Sequence, residues 1–175
     1  MPTRELDAFL QTWEIHASNI GRMLRALPPN QYDFRADPES RSIGELAWHL
    51  SEIDAYMTDG IVTGSLKLGH RPPGIERPRE IASLAPGYER IHRDAVERVK
   101  ALKPDDLDRR IEFFDGKPTA VREILWWALL HHSIHHLGQL TMMCRMSGGK
   151  APGLYGPNRE ETAAMRAART SRSST

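Results

Sequence analysis

The chain has 175 residues, a length typical of one domain that can bury a core without disulfide support. Its single cysteine excludes an intramolecular disulfide and favours a reducing, cytoplasmic compartment. The 24 lysines and arginines nearly balance the 23 aspartates and glutamates, and this net charge of +1 argues against nucleic acid or an anionic membrane as the partner. No apolar run approaches the ~20 residues of a membrane span, and the first residues lack the apolar core of a signal peptide.

Apolar residues at three- and four-residue steps predict four amphipathic helices. Ser42 and Glu45 form a capping-box pattern at the start of the second helix. Ser83 is the expected N-cap of the third helix, and Thr119 that of the fourth. In chain order, the predicted helices cover residues 4–27, 43–62, 84–102 and 120–147.

The segments between and after these helices have the composition of loops and turns. Residues 63–79 are rich in glycine, proline and basic side chains, which predicts a long irregular loop. Asp115 and Gly116 indicate a small hairpin before the fourth helix. We therefore predict an all-α four-helix bundle with a long crossover over residues 1–157, although the order of the helices alone leaves their connectivity open. Residues 158–175 are expected to form a C-terminal tail, partly helical or disordered, with a helical turn near 160–169.

The histidines concentrate in the fourth predicted helix. Four of the eight lie between residues 131 and 136, as two interleaved pairs with i, i+4 spacing, His131 with His135 and His132 with His136. This spacing brings two rings to one face of a helix, within reach of one ion. A count of 100° per residue puts His132 and His136 in the larger apolar sector, with Ile124 and Met142 on the other side.

The second predicted helix also carries a histidine, His49, within its apolar stripe. Three histidines on the inward faces of two helices are suited to a divalent metal site that keeps one position open for water or substrate. Neutral imidazole suits Zn, Ni, Cu and Fe(II), so the residues leave the metal open. The alternative is that one or more of these histidines is a core residue bonded to a carbonyl group.

Two motifs give the sequence a family resemblance. SIGELAWHL at residues 42–50 and HSIHHLGQL at residues 132–140, followed by a Gly- and Pro-containing stretch at 148–156, resemble the DinB/YfiT-like superfamily of metal-dependent enzymes. The resemblance covers about residues 4–157, and Leu137 stands where arginine often precedes Gly-Gln. It implies an up–down–down–up bundle, a zinc or nickel ion, and His49, His132 and His136 as the metal ligands. It leaves His131 and His135 unassigned.

The resemblance also implies a class of chemistry. Characterised relatives include thiol-dependent transferases and isomerases, so a metal-dependent S-transferase that uses a low-molecular-weight thiol and a small electrophilic substrate is the expected function. A metal-dependent hydrolase is the nearest chemical alternative, because the same site can activate water. A non-catalytic, metal-binding stress-response dimer is the alternative from another class. A homodimer is implied by the family, and it is expected from the residues because apolar side chains occupy most of the circumference of the fourth helix.

Overall fold

Four long helices form a bundle, and a further helix follows them. The computed structural model describes residues 4–173, so the outer limits of the predicted domain and tail, residues 1–3 and 174–175, lie outside the described residues. The helices are α1 (Arg4–Arg25), α2 (Ile43–Thr63), α3 (Ile81–Lys100), α4 (residues 121–146) and α5 (Arg159–Ser173). Between α3 and α4 lie a 3-10 turn (Pro104–Asp108) and two antiparallel strands, β1 (Arg110–Glu112) and β2 (Pro118–Ala120). The all-α bundle and the small hairpin are confirmed.

Contacts between the helices fix the direction of each one in the bundle. Helices α1 and α4 run parallel, α2 and α3 run parallel to each other, and α1 is antiparallel to α3, which gives the up–down–down–up arrangement. Both α1 and α2 pack against α3 and α4, so α1 and α2 lie diagonally across the bundle. The contacts that set these directions are Glu5 with Arg122, Ala26 with Cys144, Trp48 with Gly87, Thr58 with Arg98, Glu14 with His92 and Arg25 with Glu89.

The start of α2 is capped as predicted, and the starts of α3 and α4 are not. The Glu45 N–H donates to Ser42 Oγ at 3.3 Å, and the Ser42 N–H donates to Glu45 Oε2 at 2.8 Å. Helix α3 begins at Ile81, so Ser83 lies inside its first turn and the N-cap prediction was wrong. Thr119 lies in β2, which runs directly into α4, and the cap prediction there was also wrong.

A buried histidine ties the segment after α4 to the bundle. His16 of α1 is only 1% exposed. Its Nε2 lies 2.7 Å from Ser133 Oγ of α4, and its Nδ1 is hydrogen-bonded to the Tyr155 hydroxyl. Burial lowers the pKa of His16 to about 4, with a smaller contribution from nearby His92, so the ring is neutral at pH 7.

The chain after this anchor forms a longer helix than the sequence predicts. Asn158 Oδ1 accepts a hydrogen bond from the Glu161 N–H at 2.7 Å, a cap that supports the start of α5. The helix then spans Arg159–Ser173 rather than the single turn expected near residues 160–169. Within the described residues, none of the helices combines the length and apolar composition needed to cross a bilayer.

Candidate metal centre

Helix α4 changes its hydrogen-bond pattern just before its histidines. An α-helical turn at Val121–Glu123 leads into a π-helix at Ile124–His131, and α-helix follows at His132–Met146. A π turn takes more residues than an α turn, so the count of 100° per residue overestimates the rotation along this segment. For that reason Ile124 is fully buried, although the count puts it on the side of His131 and His135.

Three imidazole rings meet between α2 and α4. One ring nitrogen from each of His49, His132 and His136 lies within 4.8 Å of the other two. The Nε2 atoms of His132 and His136 are 2.7 Å apart, and the His49 ring centroid lies 5.6 Å and 4.9 Å from theirs. The chain therefore brings together the three histidines named from the sequence, in a group that could hold a metal ion.

A hydrogen-bond acceptor holds the other side of each ring. Glu52 Oε2 lies 3.1 Å from His49 Nδ1, and Gln139 Oε1 lies 2.7 Å from His136 Nδ1. The Ala128 carbonyl accepts a hydrogen bond from the His132 ring, and Nδ1 is available for it because Nε2 faces His136. An Nδ1–H bonded outward leaves the lone pair on Nε2, the arrangement found in metal-ligating histidines.

The π-helix makes the Ala128 carbonyl available for this contact. In an α-helix, the His132 backbone N–H would donate to the Ala128 carbonyl. Here that N–H is directed to the Trp127 and Leu129 carbonyls instead. The Ala128 oxygen is thus released from its usual partner in the helix and serves the side chain of His132.

Burial and mutual proximity keep two of the rings neutral. Burial lowers the pKa of His136 to about 4 against an opposing effect of Gln139, and His49 and His132 lower it further. Burial, followed by the proximity of His49, also lowers the pKa of His132. Burial alone would raise the pKa of Glu52, but its hydrogen bond to His49 and the nearby Arg77 and Arg71 lower it, so this carboxylate is ionised at pH 7.

The second histidine pair lies on a different, exposed face of α4. His131 and His135 are exposed, whereas His136 is buried and His132 is partly buried, so the assignment of faces from helical phase is confirmed. The His131 ring packs edge-on against Trp127, with centroids 4.7 Å apart. Neither His131 nor His135 belongs to the three-histidine group.

Two cavities of different character adjoin the histidines. His49 lines a cavity of about 290 Å³ whose wall includes the charged side chains of Glu52, Arg41, Lys67 and Arg71. His136 lines a cavity of about 760 Å³, whose wall includes Gln139 and the apolar side chains of Leu46, Met142, Met143 and Met146. Arg41 borders both cavities, so the histidine group lies between a cationic region and an apolar one.

Comparison with known proteins gives the same assignment as the motifs. A family model described as the DinB superfamily matches residues 12–140, well over half of the chain. The chain belongs to the DinB superfamily. This DinB protein is 29% identical over 161 residues to the uncharacterized protein YrdA of Bacillus subtilis, a match that covers 90% of this chain and 92% of YrdA.

Solved structures of DinB-like proteins share the fold. A DinB-like protein from Bacillus cereus superposes with a TM-score of 0.72 at 25% identity, over 85% of this chain and 97% of its own. A DinB-like protein from Bacillus subtilis superposes with a TM-score of 0.68 over 89% of this chain and 100% of its own. At 19% identity, that second likeness concerns the fold alone.

Sequence reasoning missed part of the surroundings of this DinB histidine group. Glu52 follows His49 by three residues, a spacing that brings two side chains together on a helix, but it was given no role. Gln139 has the same spacing from His136, so the hydrogen bond between these two side chains had the same signal. The Ala128 carbonyl had no signal, because a π turn leaves no distinctive residue pattern.

Proposed function

We propose that this DinB protein binds one divalent ion, zinc or nickel, through His49, His132 and His136. We further propose that it is a metal-dependent enzyme of the thiol-dependent S-transferase type that acts on small electrophiles. The observation that carries the proposal is the convergence of three ring nitrogens whose opposite ring nitrogens are each held by an acceptor.

The donor set fits such an ion. The Nε2 atoms of His132 and His136 face each other at 2.7 Å, and the lowered pKa values of both rings favour neutral imidazole. With the Nδ1 protons bonded outward, two Nε2 lone pairs point into the same space, which a cation stabilises. Neutral imidazole suits zinc and nickel, and the ionised Glu52 beside His49 Nδ1 orients that ring as the partners of metal-ligating histidines do.

The two neighbouring cavities support the transferase assignment. Three protein ligands leave a coordination position for an exchangeable group. When bound, the metal would lower the pKa of a coordinated thiol, so that a thiolate is available at neutral pH. Arg41, Lys67 and Arg71 supply positive charge beside His49 for a carboxylate-bearing thiol. The methionine-lined wall beside His136 supplies apolar contact for an electrophile.

Metal analysis tests the ligand assignment. Protein purified without a histidine tag or a nickel column should contain about one divalent ion per chain. The His132→Ala variant should lose this ion. The His131→Ala variant is the matched control and should retain it, because His131 is exposed on the other side of α4. Equal loss in both variants, or in neither, contradicts the assignment.

Cobalt substitution then tests the chemistry. Titration of the cobalt protein with a panel of low-molecular-weight thiols should give a sulfur-to-cobalt charge-transfer band, and His49→Ala should abolish it. If no thiol gives the band and the metal protein hydrolyses an activated ester or amide, the hydrolase alternative replaces the transferase. If the metal is stoichiometric and neither result is obtained, the non-catalytic metal-binding dimer replaces it.

A further inference from the structure

A second histidine–carboxylate pair lies between α2 and α3, whereas the proposed metal site lies between α2 and α4. His92 of α3 donates from Nδ1 to Asp54 Oδ2 of α2 at 2.8 Å. The Asp54 side chain has no exposed surface, and that of His92 is 9% exposed. A carboxylate buried to this degree requires a compensating charge, which a protonated His92 supplies.

The ring of His92 is held in a fixed position. Tyr88 stacks on it with the ring centroids 5.6 Å apart, and Trp13 packs edge-on at 4.6 Å. Its Nε2 has no hydrogen-bond partner within the described residues. The nearest carboxylate oxygen is Glu14 Oε2, 3.5 Å away, on a side chain that is 72% exposed. A buried ring nitrogen thus has an exposed surface carboxylate as its nearest anionic neighbour.

The same ring forms part of the wall of a groove between α1 and α3. The groove has a volume of about 650 Å³. Three of the α1 residues that line it, Ala17, Ser18 and Gly21, have small or no side chains and so leave space in it. Arg22 and Arg93 line it, and neither has a carboxylate within ion-pair distance among residues 4–173. The other basic residues of the groove, Arg25 and Lys100, are paired with Glu89 and Glu97.

We propose that the groove between α1 and α3 binds the carboxylate or phosphate group of a small molecule, through His92 Nε2–H, Arg22 and Arg93. The ligand displaces the Glu14 carboxylate, which marks where an anionic oxygen reaches Nε2. Guanidinium groups bind both anions in a two-pronged geometry, and charge-assisted bonds are stronger than neutral ones. This site is independent of the three-histidine group.

The charge state of His92 supports the proposal. Burial alone would lower its pKa, but the hydrogen bond and charge of Asp54, with a smaller effect of Glu14, raise it above the ordinary value. The neighbouring His16 has a pKa of about 4 and stays neutral, so it does not compete as a second buried cation near pH 6. At that pH, the Nε2–H of a protonated ring is a donor that an anion can accept from.

Nuclear magnetic resonance of the full-length protein tests the site directly. The ring nitrogens of His92 are followed at pH 6 while inorganic phosphate, and separately succinate, is added. Saturable shifts of the His92 Nε2 resonance are expected with at least one of these anions, and the comparison shows whether phosphate or carboxylate is preferred. Because the readout is at His92, an anion that binds only at His49 gives no signal. No saturable shift with either anion overturns the proposal.

Variants decide whether the groove is responsible. Arg93→Gln should weaken binding by about fivefold, the upper range for a solvent-accessible ion pair. Glu14→Ala should strengthen binding, because it removes the competing carboxylate. Arg166→Gln on the exposed surface of α5 is the matched control and should change nothing. A His92 shift that responds equally to Arg93→Gln and Arg166→Gln also overturns the proposal.

Discussion

The buried His16 should make the bundle sensitive to mild acid. Its pKa is about 4 in the folded protein, against 6.5 for an ordinary histidine. Between these values the unfolded chain binds a proton that the folded protein does not, so the free energy of unfolding falls as the pH falls. For one such histidine, the free energy of unfolding should fall by about 2 kcal/mol from pH 7 to pH 5.

The test compares two proteins at two pH values. The wild type and the His16→Gln variant are unfolded with urea at pH 7 and at pH 5, with a chelator present to remove any metal. Glutamine is neutral at both values and carries a donor and an acceptor, so the variant should lose about 2 kcal/mol less between pH 7 and pH 5 than the wild type. Contributions of the histidines that do not interact with His16 are common to both proteins and cancel, and the coupling of His16 with His92 is the smaller of the two effects on its pKa.

The result that refutes this reasoning is an equal loss of stability in the two proteins. A second measurement keeps the prediction testable if His16→Gln folds poorly. The ring protons of His16 in the wild type should titrate near the low value given by burial, about 4, rather than near 6.5. Titration near 6.5 would mean that the contacts with Ser133 and Tyr155 do not exclude a protonated ring.

Two further predictions concern the metal site and assembly. Gln139→Leu removes the acceptor on His136 Nδ1 and should lower metal affinity by about 10- to 100-fold in a chelator competition, whereas Gln11→Leu on the exposed face of α1 should not. Light scattering should give a homodimer of twice 19.8 kDa, and Trp127→Glu should give the monomer, since Trp127 is 69% exposed on the outer face of α4. A wild-type monomer at micromolar concentration contradicts the dimer.

The fold and the histidine pair of α4 could be predicted because both depend on periodicity within single helices, and the family motifs added His49 to the pair. His132 and His136 share a face through their own spacing, and His49 lies in the apolar stripe of its helix. Contacts that depend on the rotation of one helix against another could not be predicted. Asp54 and His92 are 38 residues apart, and amphipathic patterns do not fix which polar residues meet across two helices.

The helix starts show a different limit. Ser83 and Thr119 have suitable cap side chains, but α3 begins three residues earlier than predicted and the chain enters α4 directly from a strand. Cap preference is worth about 1 kcal/mol, so tertiary packing overrides it. Where a cap coincides with a second local signal, as Ser42 does with Glu45, the prediction was correct.

The π-helix in α4 divides one helix into two angular registers. Residues before it are aligned with the hairpin, and residues after it are aligned with α2. Deletion of Ala128 would restore a regular helix without changing either neighbouring loop. The i, i+4 spacing of the histidines would survive, and the seven regular steps of about 100° from Ile124 to His132 would make about two full turns, so these residues would still share a face. The His132 N–H would then bond to the Trp127 carbonyl as its regular i−4 partner, so the carbonyl one turn before His132 would no longer be free for its ring. A gain or loss of one residue at this turn can therefore add or remove the acceptor beside the His132 ring while the histidines keep their face and the bundle keeps its length, which offers evolution and protein engineering a discrete way to adjust the site.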